Sequence, residues 1–361
     1  MEQAFYQTNN DGFVKGGCFF AGANTKDGFV SYYDDIVKDS TADLIINIIG
    51  GPGTGKSRLL STLASFAESV DMICERYFCS SDPGSLDAIK VYNPKNGRIF
   101  FACDATAPHP RPFSTPGAVT HIADLSRFWD ACALRAKKDN ILQLQDDKTK
   151  EYRNAYAFIS CAGKILSEEY DLAMKNIKIE PMKKRAASLL KCGISDGGLL
   201  LLRPVDSISM IGRKRLNNHG FSAYKRMKAE NICCSGYVFI KTLANLCKEK
   251  NMTAIVSPHP VCPDIFTDIY VPSCSLYVSV NDDETEKTVH CGRLVEKNDL
   301  LGMIKKTEKS YESLIDCAVE CLGRAKEAHF LLEHLYGNAM DFRSKDEYEK
   351  AMVKVVSDIM L

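Results

Sequence analysis

One stretch of the chain, residues 50–57, reads Gly50-Gly51-Pro52-Gly53-Thr54-Gly55-Lys56-Ser57 and fits the pattern G-x-x-x-x-G-K-[ST] without a gap. Glycines at this spacing let backbone N–H groups turn inward and surround phosphate oxygens. We expect Lys56 to reach the β- and γ-phosphates of a nucleotide and the Ser57 hydroxyl to bind Mg²⁺. These eight residues and the following Arg58 form the predicted nucleotide-binding set.

The residues on either side of this stretch support the prediction. Leu44-Ile45-Ile46-Asn47-Ile48-Ile49 is a nearly continuous apolar run, typical of a buried parallel strand. Apolar residues spaced for one helix face follow the motif: Leu59, Leu60, Leu63, Ala64 and Ala67. Strand, loop and helix thus occur in the order that phosphate binding at a helix N-terminus requires, which disfavours a chance match.

Composition places the chain among ordinary globular proteins. Its 361 residues suffice for two domains, and 45% of them are hydrophobic and 25% charged. Lys plus Arg equals Asp plus Glu at 46 each, so no global charge favours nucleic acid or a membrane surface. No apolar run approaches the roughly 20 residues that span a bilayer. The first residues lack the basic and apolar regions of a signal peptide.

Fifteen cysteines are scattered along the chain without a C-x-x-C pair. We interpret them as reduced thiols that pack as small apolar groups. Cys317 and Cys321 are spaced to share a helix face, and a metal or redox role there is the alternative. An odd cysteine count and a nucleotide-type motif suit a reducing compartment, so we predict a cytoplasmic protein.

The pattern after the motif continues as an α/β domain. Further strands are predicted from Met72 to Cys79 and over Arg98–Asp104. A helical hairpin or small bundle is predicted from about Ile122 to Leu190, and residues 191–198 resemble a linker. We therefore divide the chain into a nucleotide-binding domain, residues 1–192, and a second domain, residues 193–361.

The second half repeats short pieces of the first in the same order, which indicates a tandem duplication, with chance similarity of helices as the alternative. The matching pairs are Gly28–Tyr32 with Gly220–Tyr224, Ser61–Ala64 with Lys241–Ala244, and Tyr170–Met174 with Tyr336–Met340. Where a second glycine-rich motif is due, the chain reads Asn231-Ile232-Cys233-Cys234-Ser235-Gly236-Tyr237. Because this stretch lacks the glycine nest, the lysine and the hydroxyl for Mg²⁺, we predict one nucleotide site and a degenerate second copy.

An acidic residue must complete the Mg²⁺ site, and Asp104 ends the best candidate strand. We predict Lys56 and Asp104 as catalytic residues and Ser57 and Asp104 as metal ligands; a turn-starting aspartate is the alternative. No glutamate follows Asp104, so the catalytic base stays unassigned and hydrolysis is expected to be slow. Thr106 and His109 are placed to sense the γ-phosphate or position water, although a loop role is favoured.

Polar residues also follow the predicted second strand. Ser80, Ser81 and Asp82 would lie at the carboxyl edge of the sheet, where α/β proteins bind ligands. Capping and turn formation is the favoured interpretation of these three residues.

A basic segment, residues 213–228, carries six cations: Arg213, Lys214, Arg215, Lys225, Arg226 and Lys228. A solvated basic face is the favoured interpretation. Contact with the phosphates of a nucleic acid or nucleotide is the alternative.

Together these motifs resemble those of P-loop NTPases, in the form typical of the ATPase branch, and no Asn-Lys-x-Asp guanine signature accompanies them. More narrowly, the chain resembles a little-characterised bacterial family of duplicated P-loop ATPase-like proteins. That resemblance is carried by residues 19–25, 28–32, 50–57, 79–82 and 104–109. It implies a P-loop fold and ATP binding without an established substrate. Members of that family carry a P-loop in both halves, whereas this chain has one.

The sequence therefore predicts an α/β P-loop NTPase with a mainly parallel sheet and helical insertions, duplicated in tandem. We expect it to bind ATP and Mg²⁺ and to act as a slow ATPase. Two alternatives stay open. One is a non-catalytic protein whose nucleotide orders a surface for an unknown protein partner. The other is a small-molecule kinase with Asp82 or Asp104 near the acceptor hydroxyl and Arg111 as a lid arginine.

Overall fold

The computed structural model describes residues 13–107, 115–217, 225–282, 285, 287–296 and 300–361. His109, Arg111 and the predicted repeat Gly220–Tyr224 lie outside the described residues.

The described residues of the first half form eight strands: β1 (Cys18–Phe20), β2 (Gly22–Thr25), β3 (Gly28–Ser31), β4 (Leu44–Ile49), β5 (Ile73–Phe78), β6 (Leu86–Tyr92), β7 (Ile99–Asp104) and β8 (Thr120–Asp124). Its helices are α1 (Tyr33–Ile36), α2 (Lys56–Ser69), α3 (Ala131–Arg135), α4 (Lys138–Asn176) and α5 (Ile179–Leu189). The predicted strand before the glycine motif and the helix after it are therefore present. The helical region begins at Ala131, because Ile122 belongs to β8, the edge strand beside β4.

In the part of the second half that the structure describes there are another eight strands: β9 (Leu200–Leu202), β10 (Asp206–Ser209), β11 (Gly212–Arg215), β12 (Lys225–Ala229), β13 (Ala254–Pro258), β14 (Phe266–Val271), β15 (Leu276–Ser279) and β16 (Thr288–Val289). Its helices are α6 (Ser235–Glu249), α7 (Leu300–Gly337) and α8 (Phe342–Met360).

Each half builds one mixed, six-stranded sheet, and the two sheets have the same strand order. The first runs β1-β5-β6-β7-β4-β8 and the second β9-β13-β14-β15-β12-β16. In the first, β6 is antiparallel to both neighbours and the other pairs are parallel. In the second, β14 takes the same place and sense. The α/β class and the mainly parallel pairing are thus confirmed, and the antiparallel strand in each sheet was not foreseen.

The two halves also exchange contacts through matching hairpins. The turn of the β2–β3 hairpin reaches the second half, where the Lys26 amide donates to the Val261 carbonyl at 2.9 Å. The turn of the β10–β11 hairpin reaches the first half, where the Met210 amide donates to the Ser81 carbonyl at 2.9 Å. The two connections are equivalent in the two halves.

Helices are exchanged in the same reciprocal way. The long helices α4 and α7 pack along each other, and the helix after each one crosses to the other half. α5 packs on α6 of the second half, whereas α8 packs on α2 of the first half and buries Val356 and Met360 in its core. The division at residue 192 stays a prediction, and the packing of α5 and α8 does not follow it.

Apolar side chains from both sheets meet in a shared core. Ile45 and Phe101 of the first sheet belong to one buried cluster with Ile255, Tyr270 and Tyr277 of the second. The opposite face of the first sheet is covered by α2 and α8, and that of the second by α5 and α6. This arrangement leaves the carboxyl end of β4 beneath the pair of long helices.

Candidate functional site

The glycine loop, residues 50–55, connects β4 to α2 and depends on left-handed backbone angles. Gly50, Gly53 and Gly55 have φ values of 155°, 70° and 86°. Side chains strongly disfavour such angles, so the glycines are needed for this path. Gly55 is the residue before α2, and no side chain of the described residues caps that helix. Its first N–H groups and its dipole are therefore available to an anion.

Lys56 lies folded over the glycine loop. Its Nζ donates to the carbonyl oxygens of Gly50 and Gly51 at 2.8 and 2.9 Å. It also lies 3.5 Å from Oδ2 of Asp104, and its side chain is largely buried. A phosphate that entered the loop would meet a lysine already held at its edge.

Asp104 and Ser57, the two predicted metal ligands, lie at the end of β7 and in the first turn of α2. Asp104 ends β7, which is parallel to β4 and pairs Asp104 with Ile48. Its Oδ1 accepts hydrogen bonds from the amide and the hydroxyl of Thr106 at 2.9 and 2.5 Å. The Ser57 hydroxyl oxygen accepts a hydrogen bond from the Leu86 amide at 2.9 Å. No group of three or more His, Cys, Asp or Glu with metal-binding geometry occurs among the described residues. A Mg²⁺ ion held by one or two protein ligands and nucleotide phosphates needs no such group.

A second carboxylate, that of Asp87 on β6, lies beside Asp104. Asp87 is buried, and burial together with the charge of Asp104 raises its pKa to about 8, a shift that Lys56 partly opposes. The sequence analysis missed Asp87. The only available signal was one aspartate inside the apolar run Leu86-Asp87-Ala88-Ile89, where a buried strand would carry it.

The glycine loop opens into the first cavity, which has a volume of about 680 Å³. The whole loop, Lys56 and Ser57 line it, as do Asp104, Thr106 and the predicted residues Ser80, Ser81 and Asp82. Arg58 is not among the lining residues. Its side chain is 62% exposed and pairs with Asp346 of α8 at 3.4 Å. The structure therefore brings together every predicted site residue within the described ranges except Arg58.

The long helices cover this cavity. Six residues of α4 and α7 line it: Lys148, Thr149, Tyr152, Tyr156, His329 and Glu333. Burial and the nearby Lys56 lower the pKa of Lys148. Burial, Lys148 and Lys56 lower the pKa of His329 to about 4, so this imidazole is neutral at pH 7. The sequence analysis missed all six, since nothing local to α4 or α7 shows that they reach the glycine loop.

Close packing from the second half fixes the glycine loop in place. A Cβ added to Gly53 would lie 2.4 Å from the backbone oxygen of Glu333 on α7. A Cβ on Gly55 would lie 3.1 Å from the Lys345 side chain on α8. Glycine is thus needed at these two positions for two reasons: the left-handed backbone angle and the close contact with the second half.

The corresponding loop of the second half lies between β12 and α6, and its own side chain bonds the amides at the start of that helix. Cys234 precedes α6 with a φ of 58°, in the position that Gly55 has before α2. The side-chain oxygen of Asn231 accepts hydrogen bonds from the amides of Gly236 and Tyr237 at 3.1 and 3.2 Å. The N–H groups that would face a phosphate are thus bonded to the chain itself.

Strand register shows which residues of the second half occupy the positions equivalent to Lys56 and Asp104. Ser235 begins α6 where Lys56 begins α2. β15 lies beside β12 as β7 lies beside β4, and Lys228 pairs with Ser279 as Asn47 pairs with Cys103. The residue after Ser279 is Val280, in the place of Asp104. Neither the lysine nor the carboxylate has a counterpart, in agreement with the degenerate second motif in the sequence.

A second cavity, of about 800 Å³, lies at the degenerate loop and includes part of the basic segment. There Arg213 pairs with Glu312, and Arg215 pairs with Asp206 at 2.6 Å. Arg226 pairs with Asp282 at 2.9 Å. The three arginines of the basic segment are thus paired with carboxylates of the chain itself, and the solvated basic face stays a prediction.

Comparison of the chain with protein-family models, with curated proteins and with solved structures finds no match. In the part of the chain that the structure describes, no helix is long and apolar enough to cross a membrane. All fifteen cysteines are free thiols, eight of them buried. The resemblance to P-loop ATPases and the cytoplasmic location remain predictions.

Proposed function

We propose that this protein is a P-loop NTPase that binds ATP with Mg²⁺ in the first cavity and hydrolyses it slowly. The observation that carries the proposal is the position of Lys56. Its Nζ lies against the glycine loop and 3.5 Å from Asp104, at the N-terminus of an uncapped helix and beside the cavity. This is the arrangement of residue types that phosphate positioning and charge neutralisation need.

Each residue would have a distinct role in this site. The loop amides would hold the phosphates, and Lys56 would leave the carbonyls of Gly50 and Gly51 to bind the β- and γ-oxygens. Ser57 and Asp104 would hold the metal, which supplies neutralisation of phosphate charge when bound. ATP is favoured over GTP because the chain lacks a guanine signature.

We also infer that the two halves arose by tandem duplication and that only the first kept a nucleotide site. The shared strand order, the shared antiparallel strand and the matching hairpin contacts support this inference. The pieces Ser61–Ala64 and Lys241–Ala244, matched in the sequence, fall on α2 and α6, which follow equivalent strands.

Titration calorimetry with ATP and GTP, with and without Mg²⁺, followed by phosphate release on the same samples, tests the proposal. We expect Lys56→Ala to lose at least about tenfold in ATP affinity, since it removes the charge that faces the phosphates. Lys95→Ala, which removes an exposed lysine from a turn, is the matched control. Wild-type affinity in Lys56→Ala would overturn the site assignment.

The packing of α7 against the glycine loop favours one second candidate, a nucleotide-gated interaction protein. Because the Glu333 backbone contacts Gly53, a nucleotide that moves the loop would also move a helix of the second half. Stoichiometric ATP binding without phosphate release would select this function over the ATPase. Stimulation of ATP use by an added acceptor would instead select the small-molecule kinase.

A further inference from the structure

The helical cover contributes a second lysine to the lining of the first cavity, which Lys56 also lines. Lys148 lies on α4, lines the cavity and is partly buried. It lies close enough to Lys56 for the two positive charges to repel each other. An anion between them would relieve that repulsion, and Lys56 belongs to the β- and γ-phosphate end of the proposed nucleotide.

The second half provides an internal comparison for this residue. Gly163 of α4 packs on Lys26 at the turn of the β2–β3 hairpin, and Gly323 of α7 lies nearest Met210 at the turn of the β10–β11 hairpin. These contacts align α4 with α7. Lys148 lies fifteen residues before Gly163, and Glu308 lies fifteen residues before Gly323.

The same alignment pairs a neutral imidazole with a carboxylate at a second position. His329 lies six residues after Gly323 on α7, and Glu169 lies six residues after Gly163 on α4. Glu308 and Glu169 both line the second cavity, as Lys148 and His329 line the first. At these two aligned positions the cover carries a lysine and a neutral imidazole over the loop that holds Lys56, and two glutamates over the loop without a lysine, while Glu333 also lines the first cavity. A lysine at the position of Lys148 is therefore present where the loop carries Lys56 and absent where the loop carries no lysine.

We propose that Lys148 contacts the γ-phosphate of the bound nucleotide and acts as a catalytic residue supplied by the helical cover. This inference rests on the function proposed above. In hydrolysis a water oxygen bonds to the γ-phosphorus while the bond from phosphorus to the β,γ-bridging oxygen breaks. ADP leaves with the electron pair of that bond, and the proton of the water passes to the released phosphate. Lys148 neutralises negative charge on the γ-oxygens as they separate from ADP.

The test compares ATP with ADP, because only ATP carries the phosphate that Lys148 contacts. For Lys148→Ala and Lys148→Gln we expect ATP affinity to fall about tenfold and ADP affinity to change less than about twofold. Single-turnover hydrolysis should fall about 100-fold, as it does when one transition-state donor is removed. Lys150→Ala, which removes an exposed lysine on the same helix outside the cavity, should match the wild type in all three measurements.

The outcomes separate this inference from the function on which it rests. If the wild type binds ATP in a manner that depends on Lys56, and Lys148→Ala keeps the wild-type ratio of ATP to ADP affinity, only the role of Lys148 is overturned. Equal losses of ATP and ADP affinity keep that ratio and overturn the role of Lys148 as well, since they indicate a structural role. If the wild type binds neither nucleotide, both proposals fail. Lys148→Arg should restore part of the lost hydrolysis, because it returns the charge to the same helix position.

Discussion

At the residue scale, His259 has a strongly perturbed imidazole; the residue follows β13 and is 8% exposed. Its Nδ1 accepts hydrogen bonds from the amides of Val261 and Cys262 at 3.1 and 3.4 Å, and the edge of its ring meets Tyr237. Burial, assisted by the positive charge of Arg213, lowers its pKa to about 3. The folded protein therefore keeps this ring neutral where the unfolded chain would protonate it.

This residue gives a pH dependence of stability with a definite sign. The unfolded pKa is about 6.5, so the unfolded state binds the additional proton between pH 6.5 and 3, and stability falls as pH falls through that window. At pH 5 the loss amounts to about 2 kcal/mol from His259 alone. His259→Asn keeps an acceptor for the Val261 amide but cannot titrate. Urea unfolding at pH 7.5 and pH 5 should show the wild type losing about 2 kcal/mol more than this variant; equal losses would contradict the assignment.

At the scale of elements, the contact between the glycine loop and α7 joins the site to the second half. Gly53 has a φ of 70°, and a Cβ added to it would lie 2.4 Å from a backbone oxygen of α7. The sequence analysis explained this glycine by phosphate binding alone. The structure adds a packing reason, which acts whether or not a nucleotide is bound.

Gly53→Ala should therefore destabilise the protein by more than its backbone angle requires. The left-handed angle costs about 1–2 kcal/mol for alanine, and displacing α7 adds about 1–3 kcal/mol. Gly97→Ala is the matched control, since Gly97 has a φ of 80° and nothing within 4 Å of its added Cβ. Free energies of unfolding from urea titrations measure both. If the two variants lose equal stability, the packing of the loop against α7 is not as described.

At the scale of the whole molecule, the exchange of helices ties the two halves together. α5 completes the helical layer of the second sheet, and α8 completes that of the first. The two sheets share one buried cluster between them. Neither half can lose its structure without exposing apolar surface that the other half covers.

We therefore expect the chain to unfold in a single transition, although chains of this length commonly unfold domain by domain. Scanning calorimetry should give equal calorimetric and van't Hoff enthalpies. Met360→Ala, which opens a cavity under α8, should lower the temperature of that one transition without splitting it. Two separate transitions, of which Met360→Ala shifts one, would contradict this prediction.

Local sequence alone determined the centre of the candidate site. The apolar run of β4, the glycines with their left-handed angles and the apolar face of α2 act within about 25 neighbouring residues, so pattern and stereochemistry suffice to predict strand, loop and helix. Asp104 was predictable for the same reason, as the polar end of an apolar strand. The absence of a second glycine-rich motif between β12 and α6 was also predictable, because the residue types of such a motif are missing there.

Only the tertiary structure decided what surrounds that centre. Lys148, His329 and Asp87 reach the first cavity through packing between segments far apart in the chain, and no local pattern encodes which segments meet. The antiparallel strand β6 and the crossing of α5 and α8 depend likewise on how apolar faces are buried across the two halves. Local sequence determined where the glycine loop forms, whereas long-range burial decided which side chains face it.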